Sequence, residues 1–412
     1  MAGEALVWAD IRKNIEVLQL IISLKEQKDN GEAGAISRKP ANTEITVHRS
    51  NVLVKRGEVP AQKHVKESQA KKDTCVSFQE ITVDPMSCQG LSILQERELQ
   101  MRLHINNSLN LSSYDASGSS VLSQERKKLQ QNPVKMLCKM CGNKIIEERK
   151  FERVLELPSE HWQQTSRNLC CHGNVSNLSS LQEASFNPSA EDCFLGSYFI
   201  MVNADVVEAT HLTITQGEMV IKCHRCSRPV GDIVMRADST GETQVRGIRI
   251  YKHAITTYKD DVFRNYTAEV YLSKIIQAKL QGRANFKFLI RGESSTGDTT
   301  AYALLWILNP DSAVLTNVPT LKSKHMGFSH GHKYLQNSTD STKANIFHGM
   351  KVLYKTLIKS KNKDLKKTAG KEVITLPCEM CIQLVIILTA STYSIPPTLR
   401  QMEGFMVGYL MS

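Results

Sequence analysis

No run of apolar residues in this sequence is long enough to cross a bilayer: the most apolar late run, Leu384 to Leu388, falls far short of the ~20 residues a membrane helix needs. No secretion leader is expected either. The apolar middle of Met1 to Lys25 is preceded by Glu4 and Asp10, interrupted by Glu16, and followed by no small-residue cleavage site. No repeat period is visible, which argues against solenoid and propeller arrays. The basic residues lack the interleaved aromatics of a single-strand platform, so no specific nucleic acid is expected as a partner. An intracellular protein with no membrane contact is therefore expected, its expected compartment the cytoplasm with the nucleus as the alternative.

What is present points the same way. Single hydrophobic cores stop growing near ~300 residues, so a chain of 412 residues is expected to hold more than one structural unit. Hydrophobic residues at 41% and charged residues at 23% match ordinary globular proteins, so the chain should fold. The net charge of +11 gathers partly in polar stretches such as Arg126-Lys127-Lys128 and Lys359 to Lys367, which have the composition of solvated loops. Eleven cysteines without a leader are thiols and metal ligands of a reducing compartment rather than a disulfide framework.

The expected fold class is α+β in three consecutive stretches. Residues 1–130 have period-two apolar patterns at Leu18, Leu20 and Ile22, at Ile45 and Val47, at Val52 and Val54, and at Leu99, Met101, Leu103 and Ile105. That alternation predicts an antiparallel β-unit. Its end, Asn106 to Pro133, is Ser/Asn/Gln-rich and predicts a polar linker or mobile loop. Residues 134–232, which hold two Cys-x-x-Cys pairs and a polar insert with Cys170, Cys171 and His172, are expected to form a zinc-binding unit. Residues 245–412 mix near-helical spacing over Val262 to Leu280 with strand patterns at Phe286 to Ile290, Ala301 to Leu308 and Val352 to Leu357. Pro377 opens a further helical stretch to Thr389, and Met402 to Leu410 forms a last strand.

Cys138-Lys139-Met140-Cys141 and Cys223-His224-Arg225-Cys226 carry the central chemistry. Two cysteines two residues apart can face one ion from a tight turn, and two such turns complete the tetrahedral shell that Zn²⁺ prefers. Gly142 supplies the positive φ such a turn often needs, while Lys139, Lys144, Arg225 and Arg228 offset the charge of four thiolates. Ordinary buried thiols or two separate redox dithiols are the competing readings, because the pairs lie far apart in sequence. His224 is read as a surface residue, since neighbouring side chains diverge. Between the pairs, Cys170, Cys171 and His172 place soft ligands in a polar loop, too close together to saturate one ion but able to reach an open position on a partner's metal. Cys193 is a possible further donor.

Taken together, Cys138-x-x-Cys141-Gly142, Arg153 to Trp162, Cys170-Cys171-His172, Glu191 to Gly196 and Ile221 to Cys226 resemble the HECT-like ubiquitin-protein ligases that bind a ubiquitin-conjugating enzyme, a family distinct from ordinary HECT ligases. The resemblance implies transfer of ubiquitin from that enzyme to protein substrates. It also implies association with the metallo-endonuclease of mRNA 3′-end cleavage and polyadenylation, with Cys170, Cys171 and His172 as the element that inhibits or chaperones it. A non-enzymatic inhibitor of that endonuclease is the alternative to a ligase. Cys381, near the carboxyl terminus after Leu376-Pro377, resembles the position of a HECT acceptor thiol, with Cys378 second. Met380 and the apolar run Ile382 to Leu388 depart from the usual Thr-Cys-Phe-Asn pattern and predict a buried helix, where the thiol would be unreactive. The stretch Tyr251 to Tyr271, with Tyr258, Phe263 and Tyr266 on a helix, is a candidate docking surface for the conjugating enzyme. Core packing is the competing reading of those aromatics.

Overall fold

Strand-forming alternation dominates the computed structural model. It describes residues 6–12, 15–23, 43–56, 74–78, 81–94, 98–106, 113–157, 188–207, 209–214, 219–237, 243–280, 286–293, 299–317, 343–357 and 372–411. These residues are mostly β-sheet with three α-helices, consistent with the α+β class: α1, Ser113–Gln131; α2, Ala268–Leu280; and α3, Cys378–Ser394. The chain packs into two compact units, each assembled from separated stretches: residues 1–112, 307–355 and 387–411, and residues 113–306 and 356–386.

In the first unit the strands follow the order Thr43–Val47, Asn51–Arg56, Thr74–Phe78, Lys343–Thr356, the second half of Thr299–Thr316, Leu6–Arg12, Val17–Ser23, Glu98–His104 and Gln89–Leu94. Leu18, Leu20, Ile22, Leu99, Met101 and Leu103 all turn to one face and are buried together with Val52, Val54, Val76 and Phe78. A period of two places alternate residues on opposite faces, so this one alternation fixes the register of the neighbouring strands. Residues of the other face, Trp8 and Ile21, are buried too, and Trp8 meets Tyr409 edge-on at 5.3 Å between ring centres.

The second unit carries a sheet in the order Arg153–Glu156, Asp192–Leu195, Phe199–Val202, Thr243–Tyr251, Pro229–Ala237, Val220–Cys223 and Leu212–Ile214, and a three-stranded sheet of Ile255–Thr257, Val134–Cys138 and Lys144–Arg149. Their inward side chains, with Phe151, Phe263 and Leu129, share one hydrophobic core. Lys287–Glu293 pairs in parallel with Glu372–Pro377 and antiparallel with the first half of Thr299–Thr316.

Helix α1 corrects the linker expected over Asn106 to Pro133. Its inward residues in the described side chains are Leu122, Glu125 and Leu129, so an acid stands where an apolar residue would have signalled a helix. Glu125 is held by Lys252, which is fully buried. Lys252 Nζ donates to Glu125 Oε2 at 2.6 Å and to the Gly196 carbonyl at 2.7 Å, and the Tyr266 hydroxyl donates to Glu125 Oε1 at 2.7 Å. Burial lowers the Lys252 pKa and Glu125 acts against that shift.

Removing one partner of a buried pair strands the other charge, a loss of about 3–5 kcal/mol, whereas replacing both by apolar residues is often close to neutral. Glu125→Ala is therefore expected to destabilise the protein strongly in urea denaturation, and Glu125→Leu with Lys252→Met to recover most of the loss. Equal losses in the two proteins would contradict the assignment of α1's anchor.

Candidate metal centre and thiol sites

Two hairpin-like turns present the cysteines. The first joins Val134–Cys138 to Lys144–Arg149, and the second joins Val220–Cys223 to Pro229–Ala237. Each turn closes in the same way. Gly142 N–H donates to the Cys138 carbonyl at 2.9 Å, and Ser227 N–H to the Cys223 carbonyl at 2.8 Å. The residue after the second cysteine is left-handed in both, Gly142 at φ 71° and Ser227 at φ 57°. Glycine takes that conformation freely; serine does not, so Ser227 concealed this half of the pattern in the sequence.

The four Sγ atoms of Cys138, Cys141, Cys223 and Cys226 lie within 4.8 Å of one another. Cys138 and Cys226 stand 3.7 Å apart and Cys141 and Cys223 3.6 Å. A disulfide is ~2.05 Å long, so these pairs are not bonded to each other. A tetrahedron with metal–sulfur distances of ~2.3 Å has edges of ~3.8 Å, close to both measured separations. The donor set thus fits one tetrahedral metal ion, and the chain brings together all four cysteines expected from the sequence.

The electrostatics match a site built for shared negative charge. Burial pushes the Cys138 thiol up, with repulsion from Cys223 adding to it, and burial raises Cys141 as well. Burial also opposes ionisation of Cys223, but backbone N–H groups of Cys226 and Arg225 and donation from Cys141 and Asn143 outweigh it and pull the thiol down to about 7. Asn143 Nδ2 reaches Cys223 Sγ at 3.6 Å and the His211 carbonyl at 3.2 Å, linking the two turns. Its place two residues after Cys141 was the only sequence signal for it. His224 is exposed, with Nδ1 3.3 Å from the Thr213 hydroxyl, and stands outside the cluster.

The other candidates separate into distinct places. Cys170, Cys171 and His172 lie outside the described residues. Cys193, considered as a further donor, is fully buried on Asp192–Leu195 with its thiol pushed up to about 12 by burial, which corrects that expectation. Cys381 is also fully buried; its Sγ–H points to the Leu376 carbonyl at 3.8 Å, and burial, then repulsion from Cys378 and Glu379, pushes it up to about 12. Cys378 is half-buried at the first position of α3. Tyr302, which sequence reasoning missed, hydrogen-bonds Cys378, and that bond, with burial, pushes the phenol up to about 12. Gly292 makes room for the pair: a Cβ there would collide with the Tyr302 ring and stand 3.0 Å from Cys378 Sγ.

The aromatic docking surface is also corrected. Phe263 is fully buried in a turn before α2, and Tyr266 is tied to Glu125, so both serve the core; Tyr258, at 59% exposure, is the one of the three on the surface.

Cys138→Ser with Cys223→Ser is expected to remove one equivalent of bound metal, measured by atomic emission, and to lower the thermal unfolding midpoint. Unchanged metal content in the double variant would contradict the site.

Comparison with known proteins places this geometry in context. Residues 10–407 match a family described as HECT-like ubiquitin-conjugating enzyme (E2)-binding. A mouse protein named as an E3 ubiquitin-protein ligase is 29% identical over 337 residues, covering 79% of this chain and 82% of the relative. A human protein of the same name is 26% identical over a 432-residue alignment covering 99% and 98%, and a bovine one is 24% identical over 440 positions covering 100% and 99%. No solved structure matches. With nearly its whole length matched, the chain belongs to the HECT-like ubiquitin-conjugating-enzyme-binding family.

Proposed function

We propose that this protein is a ubiquitin-protein ligase that docks a ubiquitin-conjugating enzyme and receives ubiquitin on Cys378, and that the ion held by Cys138, Cys141, Cys223 and Cys226 is a structural zinc. Four thiolates at tetrahedral spacing, with no open position, favour a closed zinc site rather than a catalytic one. The observation that carries the acceptor reading is the contrast between the two thiols of α3. Cys381 is sealed in the core, where its proton is held tightly. Cys378 is half-buried at the first position of the helix, hydrogen-bonded to Tyr302.

In the proposed reaction the Cys378 thiolate attacks the carbonyl carbon of the thioester on the conjugating enzyme. A new thioester forms on Cys378 and the conjugating enzyme's thiolate leaves. A substrate lysine amine then attacks the same carbon, forming an isopeptide bond, giving up a proton and returning the Cys378 thiolate. Tyr302, hydrogen-bonded to Cys378, holds the thiol in place before the exchange.

A charging assay with activating enzyme and conjugating enzyme, resolved without reductant, tests this. A thiol-sensitive ubiquitin adduct is expected on the wild type and on Cys381→Ala, and none on Cys378→Ala. An adduct that survives in Cys378→Ala would overturn the acceptor assignment. No adduct on the wild type, alongside lysine ubiquitination, would leave a ligase that acts by docking alone. The alternative, an inhibitor of the metallo-endonuclease of mRNA 3′-end processing, would act through Cys170, Cys171 and His172; Cys170→Ala with Cys171→Ala would then weaken endonuclease association and leave the adduct intact.

A further inference from the structure

Four adjacent strands of the first unit, Leu6–Arg12, Val17–Ser23, Glu98–His104 and Gln89–Leu94, set a second group of side chains into register. Arg12 lies opposite Val17, which lies opposite His104; two residues along, Asp10 lies opposite Gln19, Gln19 opposite Arg102 and Arg102 opposite Gln89, with Asp10 taken up by Lys351 at 2.9 Å. Alternate residues Ile11, Leu18, Met101 and Leu103 enter the core, so Arg12, Gln19, Arg102 and His104 emerge from the other face. There they border a recess of about 160 Å³, with Ser87 and Gln89 completing the polar part of its wall and no carboxylate among the described residues that line it.

Three cations elsewhere on the sheets are neutralised by a carboxylate. Lys351 pairs with Asp10 at 2.9 Å, Arg249 with Asp232 at 2.6 Å and Arg153 with Asp192 at 2.7 Å. Among the described residues no carboxylate pairs with Arg12 or Arg102. Arg12 and Arg102 stand on strands separated by Val17–Ser23, so they gather positive charge around one space that a bound anion would offset. The remaining donors suit such a ligand. The Ser87 hydroxyl is already committed, donating to the Asp84 carbonyl at 2.6 Å and accepting from His104 N–H at 2.8 Å. That leaves two guanidinium forks, two amides and an imidazole directed at one small space.

We propose that this recess binds a phosphate monoester. Guanidinium groups meet phosphate oxygens in paired hydrogen bonds, and two of them with an imidazole can satisfy a tetrahedral dianion from several sides. Ile15, exposed at the rim, offers apolar contact to the carbon stem of the ester. The phosphate can come from a phosphorylated side chain or from a free ester; the chemistry of the site is the same for both.

Calorimetric titration of the full chain at fixed ionic strength tests the site with three probes: inorganic phosphate, a short phosphoserine peptide and its unphosphorylated twin. Saturable binding of at least one phosphate probe is expected, with no binding of the unphosphorylated twin. Tighter binding of the peptide than of inorganic phosphate assigns the site to phosphorylated side chains, and equal binding assigns it to free phosphate. Arg12→Gln with Arg102→Gln should weaken the phosphate probes at least tenfold with an unchanged unfolding midpoint. Gln19→Glu, which sets a carboxylate into the recess, should do the same if the arginine variant folds poorly. No saturable binding by the wild type, or wild-type affinity in both variants, overturns the proposal.

Discussion

The convergence of four sulfur atoms from two distant turns is the constraint on which the second compact unit depends. The paired cysteines are 82 and 88 positions apart, so holding them together closes a long loop whose entropy cost falls on the folded state. Backbone donors in both turns and Asn143 between them prepare the thiols, but two buried and two half-buried thiols without a cation remain electrostatically frustrated. Some are pushed up while Cys223 is pulled down. A divalent ion at the four sulfur atoms would remove that conflict, and its binding free energy would become folding free energy.

A second polar element acts beside it. Lys252 and Glu125 are buried as a pair and satisfied by Tyr266 and the Gly196 carbonyl, so the charge of each is neutralised where water cannot reach. The pair joins α1 to the segment that follows Thr243–Tyr251, and that segment leads directly into Ile255–Thr257, which pairs with the strand bearing Cys138. Cysteine cluster and buried ion pair thus lie in neighbouring parts of one core, each a polar element set among apolar side chains.

These features explain how much could be read from the sequence. Alternation at Leu18, Leu20 and Ile22, and at Leu99, Met101 and Leu103, was legible because one face of each strand is uniformly apolar and buried. The two Cys-x-x-Cys spacings were legible because tetrahedral coordination demands them. Helix α1 was not, because its central inward residue is Glu125, a polar anchor that pattern reading assigns to solvent. Phe263 was misplaced for the related reason that near-helical spacing before Ala268 belongs to a turn packed into the core. The assembly of each unit from separated stretches arises from pairings between residues hundreds of positions apart, such as Ile11 with Ala313, which a linear reading of composition does not contain. Burial of Cys381 followed from the apolar run after it, while the Cys378–Tyr302 contact joins two elements with no shared motif.

The proposed acceptor thiol and the candidate metal centre meet in this unit, since the strands that carry the cysteines and the start of α3 belong to the same compact body. The central claim is that a single ion bridges the two cysteine turns. X-ray absorption at the zinc K-edge of the purified full-length protein tests it most directly. The expected spectrum has a first shell of four sulfur scatterers at about 2.3 Å. A protein that purifies without zinc, or a first shell dominated by nitrogen and oxygen, would contradict it.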